Sequence, residues 1–465
     1  MAFTDSLTVP VLAPPILAGS KPPAKPLPIW KLMREARDNP FAAFPQAAYE
    51  QPILDMSMMG RRTFLINDPA GIKQVLLDRV ENYPKTRDEV EALGSLFGNG
   101  ILTSDGETWR AHRRIMAPAF DPRALQAYAP AMARATEDFL PRWRALPDGA
   151  TIDIGEEMTQ LTLEIISETV FSSDTGRMTD LVGRTFEAAM KKLDFGLLDI
   201  LPVIGRMRMR GRIKQIHEIF RELDAEVARL IAERAQNRTD GPQDLLSRLV
   251  AAQDGESGVR MTPGEVRDQV ITIFVAGHET TAVAMTWVWY LLSQHPAAAA
   301  KLHAELEAVL GGRTPTQQDL HQLPYTRMVI DEAMRLYPPA PGLSMRRAVE
   351  ADTIGGQAIP KGAMVAVTPW VLHRHTTLWE RPEQFEPERF SPERSAGRGR
   401  YGYIPFGGGP RVCIGMAMAL TEATIILATL AQRYRLELQP GCKVELAPRI
   451  TLRPKNPMTM ILHRR

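Results

Sequence analysis

The fold is decided by the stretch Phe406-Gly407-Gly408-Gly409-Pro410-Arg411-Val412-Cys413-Ile414-Gly415, a glycine-rich loop that carries one cysteine. Glycine lets the backbone turn tightly and approach a flat ligand closely. Because a helix-forming run follows Cys413 to about Tyr434, free N–H groups and the positive end of the helix dipole favour its thiolate. Such a thiolate is either a nucleophile or a metal ligand. Arg411 adds a cation that can hold a carboxylate of the ligand.

Two other interpretations of this loop are weaker. Most single cysteines are ordinary buried thiols, but the spacing here argues against one. A phosphate cradle requires Gly-x-Gly-x-x-Gly spacing or a following Lys-Ser/Thr, and residues 407–415 have neither. The loop instead resembles the haem-ligand loop of the cytochrome P-450 family, Phe-Gly-x-Gly-x-Arg-x-Cys-x-Gly, at Phe406, Gly407, Gly409, Arg411, Cys413 and Gly415. In that family the cysteine thiolate is the axial ligand of the haem iron.

Length and composition favour one large domain. The chain has 465 residues, of which 44% are hydrophobic and 24% charged, so it can bury a sizeable core. No linker or repeat divides it, and we expect a proline-rich arm over residues 1–29 and a single domain over residues 30–465. The two cysteines, Cys413 and Cys442, fit a reducing compartment and exclude a disulfide framework. A net charge of +2 does not favour a nucleic-acid partner.

The N-terminal apolar run predicts neither a membrane span nor a signal peptide. Residues 9–18 are too short and too rich in proline to cross a bilayer. Asp5 precedes them and no basic residue does, so the positive segment of a signal peptide is missing. We therefore expect a cytoplasmic protein.

The longest predicted helix runs from a capping box at Thr262-Pro263-Gly264-Glu265 to about His295, before Pro296. At 1.5 Å per residue it is ~50 Å long, and its apolar middle predicts a path through the core. That middle contains Ala276-Gly277-His278-Glu279-Thr280-Thr281. Glycine, an acid and two threonines are locally unfavourable in a buried helix. Such a break of the local rules is typical of a working site.

The physical reason for this break is an opened helix. Thr280 can donate its hydroxyl to the carbonyl of Ala276, and Gly277 lets the helix open to admit dioxygen or a water. A zinc site is excluded, because the second histidine of His-Glu-x-x-His is replaced by Ala282. A structural alternative is a polar kink stabilised by its own hydrogen bonds. The segment resembles the family's Ala/Gly-Gly-x-Asp/Glu-Thr motif, which implies that Glu279 and Thr280 supply protons and that Ala276 and Gly277 face the haem.

Arginines in two segments are candidates for binding the haem propionates. Trp109 and Arg113 are four residues apart and share a helix face that suits a carboxylate. A solvated basic helix end is the alternative. The family resemblance favours the propionate role for both. By its spacing to Asp352, Arg347 corresponds to the family's second propionate arginine, and Arg346 is the competing choice.

A framework motif is divided between two segments. Glu332 and Arg335 are three apart on a predicted helix, and Arg389 lies in Pro387-Glu388-Arg389-Phe390. Together they match the family's Glu-x-x-Arg plus Pro-Glu-Arg-Phe signature. The resemblance implies that Glu332, Arg335 and Arg389 form a buried charge network that fixes the cysteine loop and performs no chemistry.

The substrate pocket is predicted to be apolar. Residues 83–105 read as a long loop with apolar residues between glycines, a pattern that suits a binding wall. Residues 197–205 are an apolar break that the resemblance suggests is an entry lid. We expect a hydrophobic substrate such as a fatty acid, terpenoid, steroid or aromatic compound, enclosed by Leu96, Phe97, Ile273, Ala276, Leu343 and Ile450.

The resemblance implies a mainly α fold with a smaller β-rich lobe, and haem b between the long central helix and the Cys-loop helix. The implied activity is a haem-thiolate monooxygenase, which inserts one oxygen atom of O2 into its substrate by hydroxylation or epoxidation. Electrons would come from a separate ferredoxin- or flavodoxin-type donor with its NAD(P)H reductase, docking near Arg398, Arg400 and Arg411. A peroxygenase that uses H2O2 and a non-catalytic haem protein that senses gases are the alternatives.

Overall fold

The structure is a computed structural model that describes residues 22–25, 27, 31, 41, 44–58, 60–172, 175–192, 202–236, 244–448 and 450–465. Most of the predicted arm and residues 197–201 of the predicted lid lie outside these ranges.

Helices form most of the described chain. Many begin with a proline in the first turn, where its missing N–H is not needed. Their bounds are α1 Pro69–Lys73, α2 Arg87–Phe97, α3 Gly106–Met116, α4 Pro122–Arg144, α5 Ile154–Phe171, α6 Thr175–Lys192, α7 Pro202–Gln236, α8 Leu245–Ala251, α9 Pro263–Gln294, α10 Pro296–Leu310, α11 Pro324–Leu336, α12 Pro369–Leu372, α13 Pro392–Ser395 and α14 Met416–Ala431.

Helix α9 is the centre of the main hydrophobic core. Its N-terminus is closed by the predicted capping box, in which Glu265 N–H donates to Thr262 Oγ1 and Thr262 N–H donates to Glu265 Oε2. Apolar residues surround most of the helix, and α5, α11 and α14 pack against it. The predicted central helix is therefore confirmed, and a side chain that points away from it meets protein on almost every side.

The strands form small sheets, the largest of which has the order β1-β2-β7-β4. Strands β1 and β2 form an antiparallel hairpin, and β2 pairs in parallel with β7. A second hydrophobic core lies under this sheet, apart from the helical core. The strand bounds are β1 Ile53–Asp55, β2 Thr63–Ile66, β3 Ala150–Asp153, β4 Arg346–Arg347, β5 Asp352–Ile354, β6 Gln357–Ile359, β7 Met364–Ala366, β8 Tyr434–Leu438, β9 Leu446–Pro448, β10 Leu452–Pro454 and β11 Thr459–Arg464.

The expectation of a continuous loop over residues 83–105 is wrong, because residues 87–97 form α2. Asp88 and Glu89 stand in the first turn, where they complement the helix dipole, and Gly98 ends the helix with a φ of +74°. The remaining loop lies against α9. The backbone N–H of Asn99 donates to Asp268 Oδ2 at 2.7 Å, and that of Ile101 donates to Gln269 Oε1 at 2.8 Å. This segment is thus fixed on the central helix.

Glu332 is the centre of a fully buried charge network. Arg335 donates to both of its carboxylate oxygens, at 2.7 and 2.8 Å, and Arg389 Nε lies 3.3 Å from Oε1. Arg335 Nη1 donates to the backbone carbonyls of His373 and Pro382, and Nη2 also donates to that of Gln384. Every charge therefore has a partner, and α11 is joined to the irregular chain that leads to the cysteine loop.

We predict that Glu332→Gln lowers the free energy of unfolding by about 3–5 kcal/mol, because it leaves the fully buried guanidinium of Arg335 without its counter-charge. The measurement is the urea midpoint of the purified protein. Glu218→Gln is the matched control, since its pair with Arg221 has the same three-residue spacing but exposed side chains. The control should change stability by about 0.5 kcal/mol or less, and equal effects at both positions would contradict the buried network.

Candidate functional site

The cysteine loop is held by backbone contacts that require glycine. Cys413 N–H donates to the carbonyl of Phe406 at 2.9 Å, which closes the loop on itself. Gly409 has a φ of +65°, and a Cβ there would stand 1.8 Å from the carbonyl oxygen of Leu76. A side chain at this position is excluded by both conformation and space. The loop is therefore seated on the segment that follows α1.

Cys413 is exposed although protein surrounds it. The residue is exposed to solvent, yet the protein around it is dense enough for burial to raise the pKa of its thiol. The backbone N–H of Gly415 and the charge of Arg113 act in the opposite direction, towards the thiolate that the sequence predicted. A metal ion bound to the sulfur would favour the thiolate over the thiol, because a coordinating thiol is deprotonated.

The middle of α9 has an exposed face. Ala276 is exposed and Thr280 partly so, although most of the helix around them is buried. Thr280 Oγ1 donates to the carbonyl of Ala276 at 2.7 Å, as predicted from the sequence. Since α9 and α14 pack together and Cys413 lies just before α14, we interpret these exposed positions as walls of one cavity.

Gly277 differs in part from its predicted role. A Cβ on this residue would stand 3.0 Å from Ile166 Cδ1, so that side of the glycine faces α5. Thr162 of α5 also donates to the carbonyl of His278 at 3.1 Å. The structure therefore uses Gly277 for the close approach of α5 to α9, which is a packing reason that the motif did not reveal.

A cluster of cations lies beside the cysteine loop. Arg411 forms an ion pair with Asp105, donates to the carbonyl of Ser104 at 3.2 Å, and stacks 4.0 Å from the Trp109 ring centroid. Arg113 Nη1 donates to the carbonyl of Val412 at 2.9 Å, next to the cysteine. Trp109, Arg113 and Arg411 are thus brought together, and Arg411 is a link between the loop and the start of α3.

Two further cations complete this cluster. Arg346 is buried, and its Nε has no hydrogen-bond partner among the described residues. Lys85 pairs with Arg346 in a β-bridge, and burial together with Arg411 and Arg346 lowers the pKa of Lys85 to about 8. Buried cations require an anion, and Asp105 and Glu89 are the acidic groups near them. The cluster has the charge that a ligand carboxylate needs.

The structure favours Arg346 over Arg347 as the residue that can reach a buried ligand, and the propionate role of either one stays a prediction. Neighbouring residues of a strand point to opposite faces, and β4 turns Arg346 inward and Arg347 outward. Arg347 is exposed, away from the unpaired cluster. Sequence spacing could not decide between adjacent residues of a two-residue strand.

The acid of the predicted motif has partners that sequence reasoning missed. Glu279 is buried, accepts a hydrogen bond from Thr451 Oγ1 at 2.6 Å, and forms an ion pair with Arg453. These two residues flank the fully buried Leu452 of β10. The alternation of Thr451, Leu452 and Arg453 was the available signal, but nothing in the sequence indicated which helix it faces.

The predicted pocket residues are placed unevenly. Phe97 and Ile273 are buried in the main core, and Leu343 is partly buried against the core of the sheet. Ile450 is 53% exposed and belongs to neither core. The side chain of Leu96 lies outside the described part of the structure. Their contacts with a substrate stay predictions.

The predicted docking cluster is not a free basic surface. Arg411 is nearly buried in its ion pair with Asp105. Arg398 stacks on Trp379 and Phe390, with its Cζ 4.3 and 4.7 Å from the ring centroids. Arg400 alone of the three is exposed. The expectation of three cations available to a partner is therefore wrong.

A family model described as cytochrome P-450 matches residues 21–461. The chain belongs to the cytochrome P-450 family. It is 36% identical to cyclooctatin synthase of Streptomyces melanosporofaciens over 88% of each chain. It is 33% identical to cyclooctat-9-en-7-ol 5-monooxygenase of the same organism over 91% of this chain and 92% of the relative. It is also 31% identical to pentalenene oxygenase of Streptomyces avermitilis, over 92% and 93%.

The fold is also similar to a solved structure, the cytochrome P450DA heme domain. The TM-score is 0.76 at 27% identity, covering 89% of this chain and 90% of the other. These findings confirm the predicted family, the mainly α fold with a β lobe, and the monooxygenase class of enzyme. Among the described residues, no helix has both the length and the apolar character needed to cross a bilayer.

Cys413 and the nearby arginines have the chemistry that a haem cofactor requires. A haem bound in the manner of this family needs a thiolate for its iron and cations for its carboxylates. Cys413 is exposed although protein surrounds it, and the buried Nε of Arg346 has no hydrogen-bond partner within the described part of the chain. Both requirements are thus met on the same side of the protein core, beside one loop.

We predict that Gly409→Ala destabilises the protein by more than the about 1–2 kcal/mol that a left-handed backbone costs an alanine, because the new Cβ collides with the Leu76 carbonyl. The melting temperature and the haem content of the purified protein measure this. Gly60→Ala is the control, with a φ of +77° and open space around it. It should show the backbone cost alone and keep its haem.

Proposed function

We propose that this cytochrome P-450 uses haem b to insert one oxygen atom of O2 into an apolar small molecule, by hydroxylation or epoxidation. The observation that carries the proposal is the exposed Cys413 of the glycine-rich loop, together with the exposed Ala276 and partly exposed Thr280 in the otherwise buried middle of α9. The family membership supports the haem and the monooxygenase class.

The protein's share of the reaction is ligation, positioning and proton supply. When bound, haem supplies the redox chemistry of oxygen activation. Cys413 would hold the iron, while Arg113 and Arg346 would hold the carboxylates, with Trp109 and Arg411 bracing the loop. Glu279 would receive protons from solvent and pass them to the hydroxyl of Thr280. The turn from Ala276 to Thr280 would hold the reacting oxygen.

The proposed substrate is hydrophobic, and a cyclic hydrocarbon or alcohol suits it well. Two relatives support this class, because their names give cyclooctat-9-en-7-ol and pentalenene as the compounds they oxidise. Buried apolar residues near the site, Phe97 and Ile273, are consistent with it. Specific recognition would then depend on shape more than on hydrogen bonds.

We propose a separate ferredoxin- or flavodoxin-type protein, with its NAD(P)H reductase, as the electron donor in the cytoplasm. The exposed Arg400, just upstream of the cysteine loop, is a candidate contact for an acidic donor. The small number of cysteines, two in the whole chain, supports the reducing compartment.

The direct test uses the purified haem protein with a surrogate ferredoxin, its reductase and a panel of cyclic hydrocarbons and alcohols. We expect a bound compound to displace water from the iron, which is measured as a shift of the haem absorbance. We also expect the product to contain one oxygen atom from 18O2. Cys413→Ser should abolish the thiolate spectrum with carbon monoxide and the product together. Turnover with H2O2 but not with the reductase system would favour the peroxygenase, and binding without turnover of any compound would favour the sensor.

We predict that Arg346→Gln speeds haem loss about 10- to 100-fold, since a hydrogen bond to a charged group contributes about 1.5–3 kcal/mol. Transfer of haem to excess apomyoglobin measures the rate. Arg347→Gln is the matched control one residue along, and it should leave the rate unchanged because its side chain is exposed. Faster loss from the Arg347 variant alone would restore the prediction from sequence spacing.

A further inference from the structure

The β9–β10 hairpin grips the acidic residue of the central helix. Thr451 Oγ1 donates to Glu279 Oε1 at 2.6 Å, and Arg453 reaches both carboxylate oxygens, through Nε to Oε1 and Nη2 to Oε2. Thr451 and Arg453 lie 172 and 174 positions after Glu279 in the chain. Neither Thr451 nor Arg453 belongs to the motifs that the sequence showed.

The hairpin is fixed in register along α9. Trp287 Nε1 donates to the carbonyl of Leu452 at 2.7 Å, and Leu452 N–H donates to the carbonyl of Pro339 at 3.0 Å. Trp287 stands two helical turns after Glu279, on the same face of α9. With Leu452 tied at both backbone groups, the residues on either side of it are held against Glu279. The contact is therefore built by the fold rather than by two freely moving side chains.

The contact connects a buried charge to the surface. The side chain of Glu279 is 5% exposed, whereas that of Arg453 is 42% exposed. An isolated buried carboxylate would be strongly disfavoured, so the guanidinium stabilises its ionised form. Within the described part of the chain, Arg453 also connects this buried carboxylate to solvent.

Few other charged groups face this carboxylate. The hairpin contributes Arg453, and α9 itself contributes His278, whose pKa is lowered to about 4 by burial and by the charge of Arg453. His278 Nδ1 lies 2.8 Å from the carbonyl of Phe274. From α5 the contact is neutral, through the Thr162 hydroxyl on the carbonyl of His278. Among the described residues, Arg453 is thus the charged group that contacts Glu279 directly.

We infer that Arg453 and Thr451 are positioning residues for the proton supply, and that they hold Glu279 ionised and oriented at the solvent end of the route to Thr280. The inference deepens the proposed function and rests on the role given there to Glu279 and Thr280. Glu279 takes a proton from solvent water beside Arg453. It then gives this proton to the Thr280 hydroxyl, which in turn would give its own proton to the reacting oxygen. The carboxylate is ionised again and re-forms its pair with Arg453.

The first test observes Glu279 in the resting ferric protein, without turnover. Infrared difference spectra between each protein and its Glu279→Gln counterpart isolate the absorbance of the protonated carboxyl group as pH is varied. We expect Arg453→Gln to move the midpoint upward by one to three pH units, because an opposite charge at this distance shifts a carboxyl group by about that amount. Arg453→Lys should restore most of the shift, and Thr451→Val should move the midpoint upward by less.

Lys455→Gln is the matched control, since it removes the same charge from an exposed residue of the same hairpin. It should leave the midpoint unchanged. If Arg453→Gln titrates like the parent protein, the inference is overturned. Should that variant fold poorly, Arg453→Lys and Thr451→Val still decide the matter, because unaltered midpoints in both would equally overturn it.

The second test separates this inference from the proposed function. Product formed per NAD(P)H consumed is measured across pH for Glu279→Gln, Arg453→Gln and Arg453→Lys. We expect a large loss for the first, an alkaline shift of the profile for the second, and a near-parent profile for the third. No loss in Glu279→Gln would refute the proton role of the acid, whereas a loss there with an unshifted Arg453→Gln profile would refute only the positioning role.

Discussion

The buried carboxylate of Glu332 is the interaction on which the rest of the structure depends. It has no exposure to water and neutralises Arg335 while also contacting Arg389. Arg335 in turn donates to backbone carbonyls of the irregular chain after α12. In that chain, His373 Nε2 accepts from the N–H of Ile404, just before the cysteine loop. A segment with little regular structure is thereby given a fixed shape, which a hydrophobic contact alone would not specify.

This fixed shape sets the electrostatics around the cysteine. The loop is joined to α3 by Arg411 with Asp105 and by Arg113 with the Val412 carbonyl. It also lies beside Arg346 and Lys85, so the four cations of this region outnumber the two nearby acids, Asp105 and Glu89. The protein thus concentrates unpaired positive charge on one side of the thiol. Helix α9 supplies its own polar residues, Glu279 and Thr280, from a helix that is otherwise largely buried in apolar packing.

Sequence reasoning succeeded where the chemistry is local. The capping box at Thr262 and the hydrogen bond from Thr280 to Ala276 depend on residues within one turn, so their spacing predicts them. The pairing of Glu332 with Arg335 is of the same kind. The helix over residues 87–97 was missed because its glycine and apolar residues resemble a loop, whereas packing near α9 stabilises it. Tertiary contacts supplied what local propensity lacked.

The sequence by itself determined the family, the mainly helical fold with its β lobe, and the identity of the thiol, because a ten-residue loop and short helical motifs carry that information. Only the tertiary structure decided that Arg346 rather than Arg347 turns inward, that Arg411 is engaged with Asp105, and that Arg453 reaches Glu279. These outcomes depend on which face of a strand is buried and on which distant segment packs against it. Both are properties of the folded chain that no short pattern contains.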